Sequence, residues 1–396
     1  MDFSLVSAVL AQAPLDVLEL AWQPIIARDR RAVGIRLALA ADDEARVAAL
    51  TGGLIEASAE LGGLPQGLVV LAPRGRSDAA LPGLRAPRNV LLELPAPFDD
   101  EALAALIELQ RHGVRLVARA ENCLPLAQQP VFSYVVRPAA RLAEERRTTD
   151  ASLWASSART LSEVEAAFEG GASAVIGWPL ESGQVRREGL HPEQRVVLEL
   201  IRLVQRDADV GELEAAFKQE PVLAYMLLTL VNSPAFARSA PLASIANAIQ
   251  MLGYRRIVRW LVLLLVVAGK DSQALPLVHQ TVARGMFLEN LGGAARRPAL
   301  ECDELFIVGA FSLLDLITGQ DFDQLLAESL LPPAVVAAIR ERAGDYGRML
   351  ALAEALEGPV VQEIAPLVQS LGLSREAVNR ALLSALLATD ALQGAF

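Results

Sequence analysis

The 396-residue chain is 53% hydrophobic and 21% charged, enough to build large cores and too apolar for wholesale disorder. Its net charge of −11 and pI of about 5.0 exclude a general nucleic-acid binder, which needs clustered Lys and Arg. They leave room for a small anion held by a few local arginines.

The opening stretch, "MDFSLVSAVLAQAPLDVLEL", has no basic region and carries Asp2, so it does not read as a signal peptide. Cys123 and Cys302 stand in no metal-like spacing and read as reduced, packed thiols, which predicts a cytoplasmic location. From Leu18 to about Leu180, short apolar runs alternate with helical stretches: "LELAWQPII", "AVGIRLALA", "GLVVLAP", "NVLLELP", "VRLVARA", "YVVRP", "SLWASS" and "SAVIGWPL". "DDEALAALIELQRHG" opens on acids and ends on His112-Gly113; "TLSEVEAAFEGG" has Ser162 near its start and glycines at its end. Eight strands alternating with helices predict a (β/α) barrel. The crossover after Ile25 is too short for a helix, so the first two strands are expected to form a hairpin around "ARDRR". Arg36 is the one charge in "AVGIRLALA", on a face otherwise lined by Gly34, Ala38 and Ala40.

Around residues 181–194 the texture changes and helix follows helix. Asp209 and Glu212 form a capping pair, Pro221 suits the first turn of "PVLAYMLLTLV", and "SIANAIQMLG" runs from Ser244 to Gly253. "WLVLLLVVAG" is about half the ~20 residues a bilayer span needs and follows three arginines, so it reads as a core helix with no membrane role. The expected architecture is α/β plus all-α: a barrel over 1–182, then a helical domain over 190–396.

Within the first half, "WQPII", "AVGIRLALA", "LLELPA" and "WASSARTLSEVEAAFEGGASAVIGWPL" resemble the EAL family of cyclic-di-GMP phosphodiesterases. The resemblance implies a modified (β/α)8 TIM-like barrel with acidic side chains at strand ends that hold two divalent cations. Two-metal hydrolysis needs several converging carboxylates. Here the glutamate of the E-A-L motif falls on Arg36, the paired aspartates of the fifth strand on Arg119 and Ala120, and later glutamates on Ser156 and Arg159; Glu93 remains, as does Gln23, a substrate contact in the family. A guanidinium at the Arg36 position repels a dication.

The second half resembles the HDOD domain, a catalytically silent relative of HD phosphohydrolases, through "KQEPVLAYMLLTLVNSPAF…SIANAIQMLGYRRIVRWLVLLL" with its Asn232-Ser233 pair. The His-Asp pair of active HD enzymes falls on Ser312 and Leu313, and the chain has only three histidines. His279 reads as a helix-surface or satisfied core residue, and Asn232-Ser233 as a helix C-terminal cap before Pro234 or a patch that a partner reads. Arg255-Arg256-Arg259, Arg296-Arg297 and Arg340-Arg342 read as solvated or salt-bridged faces, since no aromatic residues interleave.

Together the resemblances imply a catalytically inactive EAL homologue without cofactor or metal: a bacterial signal-transduction scaffold acting through protein partners, with a homodimer through outer barrel helices compatible with the family. The alternative is a metal-free sensor of cyclic-di-GMP or another anionic nucleotide. At the mouth, Arg36 and Arg119 are expected either to pair with Glu93 or to form an anion site; a third reading leaves Arg36 exposed.

Overall fold

The structure, a computed structural model, describes residues 15–41, 47–49, 51–55, 67–74, 86–121, 124–125, 128–142, 152–180, 192–219, 223–224, 227–228, 231, 244–267, 275–318, 322–323, 331–359 and 364–393. Residues 181–191, Pro221, Asn232, Ser233 and Cys123 lie outside them, as do the side chains of Arg255 and Arg259, so the expectations placed on these fall outside the described residues.

Eight strands close into a barrel in chain order: β1 (Glu19–Ala27), β2 (Ala32–Ala40), β3 (Leu68–Pro73), β4 (Val90–Pro95), β5 (Arg115–Arg119), β6 (Tyr134–Pro138), β7 (Ser152–Ser156) and β8 (Ala174–Ile176). β1 runs antiparallel to both β2 and β8, while all other neighbours are parallel. The expected hairpin is present, turning through Ala27 and Arg31 with Arg30 in the left-handed region at φ 68°. Side chains alternate across each strand. One set, Ile25, Val70, Leu91, Val117, Val136, Trp154 and Ile176, fills the barrel interior. Gly34 lies in β2 where β3 comes closest: an added Cβ would stand 2.1 Å from the Leu68 carbonyl oxygen.

Helices α1 (Asp100–Arg111), α2 (Ala139–Leu142) and α3 (Leu161–Glu169) belong to the barrel. Asp99 caps α1 by accepting from the Ala102 N–H at 2.9 Å. α3 is capped by Thr160, which accepts from the Glu163 N–H, and Ser162 rests 2.9 Å from the Thr160 hydroxyl.

The second part is helical: α4 (Pro192–Gln205), α5 (Val210–Lys218), α6 (Ile245–Val267), α7 (Leu275–Ala294), α8 (Ala299–Phe311), α9 (Leu314–Thr318), α10 (Pro333–Glu341), α11 (Gly344–Leu356), α12 (Ile364–Ser370) and α13 (Arg375–Gln393). Asp209 caps α5 through the Glu212 N–H, as its spacing predicts. Gly253, at φ 70° and ψ 158°, breaks α6 where the Ser244 segment was expected to end, and a second helical stretch continues directly. Trp260, Leu261 and Leu264 of that stretch are buried, and among the described residues no helix is long and apolar enough to cross a membrane.

In a βα barrel each strand's outer face is covered by the helix that follows it. The β1–β2 hairpin supplies no such helix, and the outer face of β1 is instead packed by α7, α11 and α13. Trp22 meets the His279 ring with centroids 5.7 Å apart. The Asn379 amide donates to the carbonyls of Leu15 and Leu18 at 2.9 and 2.6 Å, and Arg375 pairs with Glu19 at 3.2 Å. One apolar core therefore runs without a break from Leu15, Leu18 and Leu20 into Leu350, Leu382 and Leu386. Each large side chain buried there contributes about 1.5–3 kcal/mol.

Candidate functional site

The strand period that fills the barrel with Val70, Leu91 and Val117 dictates what stands one layer above them. Two residues toward the mouth come Glu93 on β4, Arg119 on β5, Pro138 on β6 and Ser156 on β7; β1 runs the other way, so Gln23 takes the corresponding place before Ile25 and pairs with Arg36 of β2.

Three of these side chains meet. Arg36 donates through Nε to Glu93 Oε2 at 2.8 Å and through Nη2 to Oε1 at 2.9 Å, a bidentate pair. Arg119 Nε reaches Glu93 Oε1 at 2.9 Å. The Glu93 side chain is wholly buried and that of Arg36 is 4% exposed, whereas that of Arg119 is 40% exposed. Arg36 is therefore a buried ion-pair residue and not a surface one. Burial beside a second guanidinium, Arg36, pulls the Arg119 pKa below the usual arginine value, although Glu93 and Glu121 oppose the shift. Two cations share the Glu93 carboxylate, and the exposed Glu121 acts on Arg119 as well.

Arg36 has one more partner. Its Nη1 donates to the carbonyl of Pro359 at 3.1 Å, in the turn that follows α11. The helical domain thus touches the barrel at its mouth as well as along β1.

The other sequence-selected residues are placed apart. Ser156 turns aside and donates to the Arg137 carbonyl at 3.4 Å. Arg159 is exposed ahead of α3, where its N–H donates to Glu163. Ser312 and Leu313 are buried in the helical domain, Leu313 against Leu277 and Ile317, with Trp178 and Leu180 beside them. Ser312 Oγ accepts from Arg284 Nη1 at 2.7 Å. Arg284 also forms a bidentate pair with Glu357, through Nε at 2.8 Å and through Nη2, and lies 3.8 Å from Glu354. Burial of Arg284 works to lower its pKa, but the charge and hydrogen bonds of Glu357 outweigh it and raise the value. This second pair has no motif and was not selected from the sequence; its partners are 73 residues apart.

His279 departs from its expected role. It is 4% exposed, and its Nδ1 has no hydrogen-bond partner among the described residues. Burial lowers its pKa to about 4. The arginine clusters are mainly salt-bridged: Arg297 to Glu301 and Asp345, Arg340 to Asp323, Arg342 to Glu354.

The donor set at the mouth does not fit the cation pair that the EAL resemblance implies. Glu93 is already held by two guanidinium groups, and no cluster of three His, Cys, Asp or Glu residues that could hold a metal occurs among the described residues. A groove of about 1210 Å³ opens elsewhere, on the helical domain at Gly253. Its arginines (Arg256, Arg297, Arg380) are matched by Glu289, Asp303 and Glu376, so it offers no net charge to select an anion.

A closed barrel with an antiparallel first strand, followed by a helical domain, is the class that the fold defines. Residues 190–317 match the HDOD domain family. Over 204 residues the chain is 28% identical to cyclic di-GMP phosphodiesterase CdgJ of Vibrio cholerae, covering 51% of this chain and 46% of that protein. It is 25% identical over 162 residues to the uncharacterised protein YuxH of Bacillus subtilis, covering 40% of this chain and 39% of that protein. The aligned parts thus span less than half of either relative. Among solved structures, the EAL domain protein from Listeria monocytogenes EGD-e is similar with a TM-score of 0.32 and 13% identity, covering 45% of this chain and 93% of that one.

The expectation that the chain is not an enzyme is corrected by the likeness to CdgJ, which is named as a phosphodiesterase. That expectation was drawn from the residue types at individual strand ends.

Proposed function

We propose that the chain is a signal-transduction protein of a cyclic-di-GMP-related pathway whose output is contact with a protein partner, made through the docked helical domain. The HDOD match and the likeness to CdgJ support the pathway. The observation that supports a role for the helical domain is the Arg36–Pro359 hydrogen bond, which ties the barrel mouth to a turn of that domain and so gives a change at the mouth a route to the surface the domain presents. The test is affinity capture with the purified full chain, beside an Arg36→Met variant and a clean control. Partners retained by the wild type and lost by the variant support the reading; no partner against a clean control overturns it.

A second reading has its own support. The Arg119 side chain is 40% exposed, two guanidinium groups meet at the mouth, and Gln23 stands beside Arg36, so the mouth suits an anionic nucleotide. Calorimetry with cyclic di-GMP, without and with Mn²⁺, tests it, and no heat at high micromolar protein ends it. The same samples, followed for linear dinucleotide, report whether the activity in the name of CdgJ extends to this chain.

A further inference from the structure

The two buried arginine–carboxylate sites lie at the two ends of one short turn. Glu357, gripped by Arg284, follows directly on α11; Pro359, two residues later, gives its carbonyl to Arg36. The residues joining the sites are thus Glu357, Gly358 and Pro359. Pro359 is exposed, so burial of its ring does not hold the turn down. The Glu357 and Gly358 N–H groups donate to the Glu354 and Ala355 carbonyls and carry the end of α11 into the turn, and beyond that backbone support the Glu357 carboxylate grips it on one side and the Arg36 guanidinium on the other.

The exposures follow this geometry. Arg36, under the turn, is shut in, while Arg119, on the far side of the same carboxylate, has a side chain that is 40% exposed. Arg36 has five N–H groups. Two go to Glu93 and one to the Pro359 carbonyl, and these three bonds fix its plane.

We propose that the Glu357–Pro359 turn is a latch by which the helical domain closes the Arg36 side of the barrel mouth, and that loosening Glu357 from Arg284 frees Arg36 to join Arg119 in holding a phosphate-bearing ligand. The ligand part rests on the reading of the mouth as an anion site; the latch is testable without any ligand. It links a buried pair of the helical domain to the mouth through three consecutive residues.

The experiment is arginine footprinting of the full chain with phenylglyoxal, read by peptide mass spectrometry. In the wild type, Arg36 is expected to react at least tenfold more slowly than Arg119. In Glu357→Gln, the Arg36 rate is expected to rise at least fivefold, while Arg119 changes less than twofold. An unchanged Arg36 rate in the folded variant overturns the latch, as does a wild-type Arg36 as reactive as Arg119. Should Glu357→Gln fail to fold with Arg284 left unpaired, the double variant Arg284→Met/Glu357→Met removes both charges and carries the same expectations. Calorimetry with cyclic di-GMP on these proteins then separates the two claims. At least fivefold tighter binding by the latch variants supports gating, and equal affinity throughout overturns it. No heat from any of them, with Arg36 labelling as expected, removes the anion reading and upholds the latch.

Discussion

The barrel mouth and the heart of the helical domain use the same chemistry to opposite effect. At the mouth, Glu93 is shared by Arg36 and Arg119, and one of these cations faces solvent. In the helical domain, Arg284 is met by Glu357 and approached by Glu354, which Arg342 also holds, so each arginine has a carboxylate and Arg284 is 3% exposed. A buried guanidinium–carboxylate pair is weak evidence of net stability, because desolvation offsets its attraction; removing one partner is what is costly. The difference between the two sites is therefore one of access. One pair is structural on all sides, and the other keeps a charged arm in reach of a ligand.

The comparison can be broken most sharply in the helical domain. Arg284→Met leaves Glu357 and Ser312 without their donor in a dry site, and is expected to destabilise by about 3–5 kcal/mol in urea unfolding. A loss under 1 kcal/mol would show that water reaches this pair as freely as it reaches Arg119.

The seam between the two regions gives a pH test. His279 is neutral when folded, with its pKa lowered by burial to about 4 from an unfolded value of 6.5. The unfolded chain binds the proton first, so this contribution is complete above pH 6.5 and is lost as pH falls from there toward 4. The expected loss over that window is about 3 kcal/mol. His279→Phe, which keeps a ring against Trp22, should flatten the dependence; an equally steep curve in the variant would assign it elsewhere.

At the mouth itself, Arg36→Met should cost less than Arg284→Met, about 2–3 kcal/mol, because Arg119 still holds Glu93. Equal losses would erase the distinction between the open and closed sites. The smallest effect is expected at Asn379→Ala, about 1–2 kcal/mol, from two side-chain hydrogen bonds to the backbone before β1, read from the same unfolding curves.

The barrel was legible because its signals are local. Apolar runs of strand length, the short "ARDRR" link and the charges at strand ends need only the two-residue period to be placed, and that period brings Glu93 and Arg119 to one rim with Arg36. The latch was not legible. Arg284 lies in an unremarked helical stretch, Glu357 and Pro359 follow another, and Pro359 meets Arg36 across 323 residues through a main-chain carbonyl, which carries no residue signature. The covering of β1 was half legible: the hairpin revealed the missing helix, but nothing in the sequence named α7, α11 and α13 as its replacement. Enzymatic standing was misjudged for a different reason. Residue types at a rim establish local charge, whereas the named relative concerns what a whole protein does.

The Leu15–Asn379 contact joins positions 364 residues apart. During synthesis, β1 must therefore wait, with Leu20 and Trp22 uncovered, until nearly all of the described chain has followed. Such long-range closure slows folding and leaves a sticky edge in the nascent chain. A chaperone bound to that waiting strand would be released only when α13 arrives, so truncation within α13 should trap the barrel in an aggregating form even though every barrel residue has been made.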